Sequence, residues 1–314
     1  MYIYELYAIL TDTMTNLYWP VYKNLENELV QLSDLIHFDD NQLSIYSIKI
    51  SELLIRCSVE IEAISKDLYF RIGGTLPSDG DLYFDTDCLQ LLEDKWVISK
   101  KKVIISASNF YFENDDNKIL SPLFKSYRRG TSSCDWKKAY QEVKHNRVHN
   151  LTKGSLKNLI RAMASLYVLN IYFKDEIYEL GSDGQASNFP INMGSNLFSI
   201  KLHKWFFYDG QHNYGKREDF DECIYLTKYT DETLNKNREA LDEMFKKQHE
   251  LFIKHPKLIK YLETNKLEDY KGQNLIYDVL GKDDYNKLIH ISTTEQIKVS
   301  SASQFEAILN KNSI

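Results

Sequence analysis

The chain has 314 residues, of which 43% are hydrophobic, so it can build a substantial core and is not expected to be disordered. Only 12 Gly and 5 Pro interrupt it, which favours long helices over a turn-rich β fold. The net charge of −6 excludes a polycation, and no stretch approaches the roughly 18 apolar residues of a membrane span.

The N-terminal residues carry neither a basic region nor a small-residue cleavage site, so they do not resemble a signal peptide. The cysteines are scattered and include no CxxC pair, which is typical of a reducing compartment and argues against disulfides and a zinc site. No phosphate-loop or dinucleotide motif occurs either. We therefore expect a cytoplasmic protein without membrane contact and without a cofactor. The cysteines are Cys57, Cys88, Cys134 and Cys223.

The first third of the chain predicts helices. The pattern from Leu6 to about Leu35 is helical but is expected to break near Trp19-Pro20, because proline disfavours the helical region for the residue before it. A long helix follows from about Gln42 to Ile72, where apolar residues recur every three or four positions, and Gly73-Gly74 ends it.

The middle of the chain is less regular before two further helices. A short helix is predicted near Asp85 to Glu93, a strand at Val103 to Ile105, and a turn at Asn114 to Asn117. A helix from about Cys134 to His149 then packs through Trp136, Tyr140 and Val143. The next helix, from Ser155 to about Phe173, is apolar over most of its surface and is expected at the centre of the core.

Beyond Gly181 the pattern changes. Apolar and polar residues alternate from Phe198 to His203, which predicts a strand. This strand could continue through Trp205 to Tyr208 and turn at Asp209-Gly210 to form a hairpin. C-terminal helices are predicted from Asp231 and near Lys257–Glu263, Leu275–Leu280 and Gln304–Leu309. The predicted fold class is mainly α: an antiparallel helical bundle with a small β-hairpin insertion and a helical C-terminal section. The predicted domains are an N-terminal helical segment (1–39), the bundle (40–178) and the C-terminal section (179–314).

Basic residues concentrate between Lys125 and Arg161. This segment has a net charge of +8, which leaves −14 for the remainder. A basic surface on an acidic protein can hold a polyanion. The alternative is a solvated helix face that acidic residues elsewhere compensate.

The string from Trp136 to His149 places candidate chemical groups near one helix end. Lys144 and Arg147 are three apart, and His145 and His149 are four apart, so each pair would share a helix face. Histidine can transfer protons near neutral pH, and Lys or Arg can neutralise a scissile phosphate. Such groups could cleave RNA without a metal ion. The alternative is that Lys144 and Arg147 pair with acidic residues such as Glu60.

Two segments together resemble the HEPN superfamily. The first segment is the long helix from Ser47 to Ile64. The second runs from Trp136 to Arg147, which carries a Trp, Tyr, Lys-His-x-Arg signature, and continues with Leu156 to Tyr167. The resemblance covers about residues 40 to 175. The resemblance implies an antiparallel bundle that commonly dimerises. In the nuclease members of the superfamily, an Arg and a His separated by four to six residues cleave RNA without a metal ion. Such members act in toxin and phage-defence systems.

This chain departs from that Arg-His spacing. Lys144 and His149, or Lys138 and His145, fit the spacing with Lys in place of Arg, and Lys lacks the planar grip of a guanidinium on phosphate. The candidate catalytic residues are Lys144, His145, Arg147 and His149. The candidate RNA-binding residues are Arg128, Arg129, Lys137, Lys138, Lys157 and Arg161, and the candidate supporting residues are Arg56, Glu60 and Tyr140.

The resulting hypothesis is a HEPN-like protein that acts on RNA, as a metal-independent endoribonuclease and homodimer of a phage-defence or toxin system. The alternative is a non-catalytic dimeric binding module that recruits a protein or nucleotide partner, with the C-terminal section as the protein-binding part.

Overall fold

The computed structural model describes residues 16–78, 80–124, 134–204 and 216–312. Its longer helices confirm the mainly α prediction. In chain order the α-helices are α1 (Tyr18–Ser33), α2 (Ile48–Arg71), α3 (Leu89–Trp96), α4 (Asp115–Lys118), α5 (Asp135–His145), α6 (Arg147–Asn150), α7 (Leu156–Lys174), α8 (Asp231–Ile253), α9 (Pro256–Thr264), α10 (Leu275–Leu280) and α11 (Lys282–Ser301).

Helix α7 lies at the centre of the fold and packs against α1, α2 and α5. Its residues from Ala162 to Phe173 are buried without interruption, which confirms the prediction of a central helix. The apolar stripe of α2 faces it, and the Ser47 side chain caps α2 by accepting a hydrogen bond from the Ile50 backbone N–H. Burial of these two apolar faces is the main stabilising contribution to the bundle.

The N-terminal helix differs from the prediction at proline. Helix α1 begins at Tyr18 and continues through Pro20, because proline in the first turn costs no hydrogen bond. The part of the predicted helix before residue 16 lies outside the described residues. Glu26 of α1 is fully buried and accepts hydrogen bonds from the Tyr22 hydroxyl and the Asn196 backbone N–H, each at 2.9 Å.

The described residues also form nine short strands: β1 (Phe38–Asp39), β2 (Val103–Ile105), β3 (Phe110–Tyr111), β4 (Ile119–Leu120), β5 (Tyr178–Gly181), β6 (Phe198–Ile200), β7 (Leu202–Lys204), β8 (Tyr225–Tyr229) and β9 (Phe305–Leu309). They form a parallel pair β1–β3, an antiparallel sheet in the order β4–β2–β6, and a mixed sheet in the order β5–β9–β8–β7. The strand at Val103–Ile105 was predicted.

The alternating segment from Phe198 to His203 forms two strands and not the single strand predicted. It divides into β6, which pairs antiparallel with β2, and β7, which pairs parallel with β8 in another sheet. The predicted extension through Trp205 to Tyr208 and its turn at Asp209-Gly210 lie outside the described residues.

The predicted helix at Gln304–Leu309 is also wrong, because Phe305–Leu309 is strand β9, which lies between β5 and β8. One hydrophobic core extends from Tyr22 through Phe198 to Leu309 and therefore crosses the predicted boundary at 178/179. Helices α8 to α11 form a second, small cluster around Phe252 and Leu280. No helix in the described part of the chain is long and apolar enough to cross a membrane.

Candidate nucleic-acid interface

Helix α5 positions the candidate residues. Trp136, Tyr140 and Val143 are buried as predicted, and the Trp136 indole N–H donates a hydrogen bond to the Pro122 carbonyl at 2.9 Å. These contacts fix the rotation of α5 on the bundle. The residues that follow Val143 therefore extend beyond the packed surface, and positions 144–149 are all exposed.

The helix does not continue to His149 as predicted. It ends at His145, because Asn146 takes φ −149° and ψ 76°, which is not helical. The Asn146 side chain instead accepts a hydrogen bond from the His149 backbone N–H at 3.4 Å and begins the short helix α6. The helical spacing that grouped Lys144 with Arg147, and His145 with His149, therefore does not apply across this break.

The four candidate catalytic side chains, Lys144, His145, Arg147 and His149, are nevertheless exposed on this short stretch, which we name the α5–α6 junction (residues 144–150). Val148 between them is 88% exposed. The ion pairs of Lys144 and Arg147 with acidic residues such as Glu60, which the alternative interpretation required, do not occur among the described residues. A hydrogen bond with the Tyr140 side chain raises the pKa of Lys144, whose ammonium lies 5.4 Å from the centre of that ring. Lys144 is thus a cation at neutral pH, and buried Tyr140 supports it.

Lys137 does not have its predicted role. Its side chain is only 3% exposed and forms an ion pair with Glu62 of α2. The ammonium also lies about 5 Å from the ring centres of Phe84 and Tyr140. Lys137 therefore links α5 to α2 and is not placed to contact a phosphate.

Other cations near the junction are also paired. Arg161 bonds to Asp135 at 3.0 Å, and Lys153 lies 3.8 Å from Glu142. The exposed side chains of Lys138 and Lys157 have no ion pair with any described carboxylate. Lys137, Lys153 and Arg161 thus have Glu62, Glu142 and Asp135 as their partners.

The predicted supporting residues Arg56 and Glu60 do not reach the histidines. Arg56 bonds to Glu28 of α1 at 2.5 Å, where Lys49 also binds. Burial raises the pKa of Glu60, an effect that the charge of Arg56 partly offsets. Neither residue contacts His145 or His149 within the described ranges. Arg128 and Arg129 lie outside those ranges.

The junction therefore combines cations without carboxylate partners and two exposed imidazoles. Lys144 and Arg147 in the junction, Lys138 on α5 and Lys157 on α7 form no ion pair with a described carboxylate, and only the more distant charge of Glu62 acts on Lys144. These cations remain available to an external anion. Exposed lysine and arginine side chains bind phosphate groups and release counterions when they do so. Comparisons of the chain with protein-family models, curated proteins and solved structures gave no match.

Proposed function

We propose that this protein binds RNA through Lys138, Lys144, Arg147 and Lys157. The observation that supports the proposal most is the division of charge around α5. Lys137, Lys153 and Arg161 each have a carboxylate partner, whereas these four exposed cations have none among the described residues. A phosphate backbone supplies the missing negative charge, and single-stranded RNA can adapt to a surface that is not a deep groove.

The proposal includes cleavage of the bound RNA without a metal ion. One imidazole, of His145 or His149, accepts the proton of a ribose 2′-hydroxyl as that oxygen attacks the adjacent phosphorus, and the other donates a proton to the leaving 5′-oxygen. Arg147 or Lys144 stabilises the charge on the phosphoryl oxygens. The exposure of both histidines beside these cations supports this assignment, as does the HEPN-like signature. That resemblance extends the proposal to a homodimer in a phage-defence or toxin system.

A second candidate function is protein recruitment by the C-terminal section. Large apolar side chains on α8, α11 and the turn after α9 are about half exposed or more, namely Phe245, Ile297 and Leu267. Contiguous exposed apolar patches are typical of surfaces that bind another protein.

The decisive experiment incubates purified protein with a labelled RNA pool in EDTA and measures binding and cleavage separately. The Lys144→Ala/Arg147→Ala variant should lose at least tenfold in RNA affinity, and His145→Ala or His149→Ala should lose cleavage while RNA stays bound. Lys260→Ala is the matched control, because Lys260 is also exposed and without a described ion pair but lies on α9.

Each outcome decides between the candidate functions. Binding without cleavage by the wild-type protein leaves a non-catalytic RNA-binding module. Absence of RNA binding contradicts the proposal and favours protein recruitment. Cleavage that both histidine variants retain contradicts the assigned proton-transfer groups.

A further inference from the structure

A second group of chemistry-bearing side chains lies away from the α5–α6 junction, beside the mixed sheet. His203 is on β7, and Asp219 and Cys223 lie in the segment that leads into β8. One potential ligand atom from each residue lies within 4.8 Å of the others. The His203 Nδ1 is 2.8 Å from an Asp219 carboxylate oxygen, and the Cys223 Sγ is 3.6 Å from the other oxygen.

The backbone holds these three residues in place. Strand β7 pairs parallel with β8, and the Cys223 backbone N–H donates to the Asp219 carbonyl at 3.1 Å. The buried Asn310 side chain donates to the Phe220 and Cys223 carbonyls at 2.6 and 3.1 Å. Because these hydrogen bonds hold the backbone around Asp219 and Cys223, a ligand could bind with only small movements of the side chains.

The site has an imidazole nitrogen with no partner. The side chain of His203 is completely buried, and its Nε2 makes no hydrogen bond within the described structure. A buried polar nitrogen without a partner costs about 1–3 kcal/mol. Nε2 is not the ring nitrogen that faces Asp219, so an ion shared with Asp219 and Cys223 would bind through Nδ1. Cys223 is also completely buried, whereas the Asp219 side chain is 42% exposed. The cluster is therefore closed on the protein side and open to solvent at Asp219.

The geometry does not build a cysteine nucleophile. The thiol donates its hydrogen bond to Asp219 and has no described bond to His203, so the imidazole is not placed to take its proton. Burial, and then the neighbouring carboxylate, raise the pKa of Cys223 to about 12. A reactive cysteine needs an exposed sulfur, and the Cys223 side chain is completely buried.

We propose that His203, Asp219 and Cys223 bind one zinc-type divalent cation, with solvent in the fourth position. Nitrogen, oxygen and thiolate ligands together suit zinc and exclude calcium and magnesium, which prefer oxygen alone. Ligand atoms around a tetrahedral zinc ion are separated by about 3.4 Å. The separations here are 2.8 Å, 3.6 Å and at most 4.8 Å, so the three side chains need only small adjustments to bind one ion. The bound metal stabilises the β7–β8 edge of the mixed sheet, because the folded state alone assembles the three ligands.

The test uses the full-length chain, stripped of metal with EDTA and then freed of chelator. Titration with Co²⁺ should give one equivalent of bound metal with a thiolate charge-transfer band, and Zn²⁺ should displace it and raise Tm by several degrees. Cys223→Ser should lose the band, and His203→Gln should weaken Zn²⁺ binding at least tenfold. Cys88→Ser and His145→Ala/His149→Ala should bind as wild type does.

The proposal is overturned if the wild-type chain binds no Zn²⁺, or if Cys223→Ser and His203→Gln bind it unchanged. Should these variants fail to fold, X-ray absorption of the zinc-loaded wild type decides the question. One sulfur ligand per zinc is expected, and a shell without sulfur contradicts the proposal. RNA binding at the α5–α6 junction involves other residues, so neither result depends on the other.

Discussion

Lys137 of α5 and Glu62 of α2 form an ion pair in which the lysine is almost fully buried. This pair joins the helix that carries the candidate interface to the helix that packs most extensively on α7. It also removes Lys137 from the set of cations that could meet an RNA phosphate. The pair is therefore expected to matter for stability and not for RNA binding.

Glu62→Gln should lower the free energy of unfolding by about 1–3 kcal/mol, because it leaves the Lys137 ammonium buried without its counter-charge. Lys137→Met should cost less, since it removes the charge and keeps most of the buried stem, and its RNA affinity should equal that of wild type. Urea unfolding monitored by circular dichroism measures the stabilities. Glu52→Gln, at an exposed position of α2, is the control and should change little. A large loss of RNA affinity in Lys137→Met would show that this lysine contacts the ligand.

The buried carboxylate of Glu26 should be a second sensitive position. It accepts hydrogen bonds from Tyr22, Ser195 and the Asn196 backbone, and so connects α1 to the segment before β6. Glu26→Gln presents an amide N–H to groups that are themselves donors, and we expect a loss of about 2 kcal/mol or more. Glu28→Gln on the same helix should cost less than about 1 kcal/mol, because that surface carboxylate is screened by solvent. Equal losses in the two variants, measured by urea unfolding, would contradict the role given to Glu26.

Lys101 should make stability depend on pH. Its ammonium is buried without a hydrogen-bond partner among the described residues, and burial lowers its pKa from 10.5 to about 8. Between pH 8 and 10.5 the unfolded chain binds more protons at this residue than the folded chain does. Wild type should therefore gain stability relative to Lys101→Met as pH rises through this window, by about 2–3 kcal/mol.

Lys100 provides the control of opposite sign. Its hydrogen bond with Asp221 raises the pKa of Lys100, so the stability that it contributes is present below its unfolded pKa and decreases as pH rises through its folded value. Urea unfolding of Lys101→Met, Lys100→Met and wild type at pH 7 and pH 10 separates the two effects. Both pH values lie below the unfolded lysine pKa of 10.5, so Lys100→Met should differ from wild type by the same amount at both, whereas the difference for Lys101→Met should change. A difference between Lys101→Met and wild type that does not change with pH would contradict the account of Lys101.

The sequence predicted the elements whose signals are local. Helices α2 and α7 have continuous apolar stripes. Helix α7 lies close to its predicted bounds, and α2 ends where predicted but begins at Ile48, six residues after the predicted start at Gln42. Helix α5 was predicted too long, since residues 144–149 have helical spacing and only the cap formed by Asn146 ends the helix. Strand β9 was mistaken for a helix. The alternation of Phe305, Ala307 and Leu309 was its signal, but pairing with two distant strands decides it.

For the candidate site, the sequence predicted which residue types are present but not which of them remain free to bind RNA. Sequence identified the basic segment, but ion pairing decides which cations remain free, and Glu62 is 75 positions away from Lys137. The group of His203, Asp219 and Cys223 was missed because one cysteine without a neighbouring cysteine carries no spacing signal. Only the pairing of β7 with β8 brings these residues together.

The salt dependence of RNA affinity tests the central claim most directly. The affinity of wild type for a labelled single-stranded RNA should fall linearly on logarithmic axes as salt increases, and each cation removed should reduce the slope by about 0.7. We therefore predict that Lys144→Ala/Arg147→Ala binds more weakly and with a clearly shallower slope, while Lys260→Ala and Lys137→Met match wild type. An unchanged slope in the double variant would contradict the claim that the α5–α6 junction binds the RNA backbone.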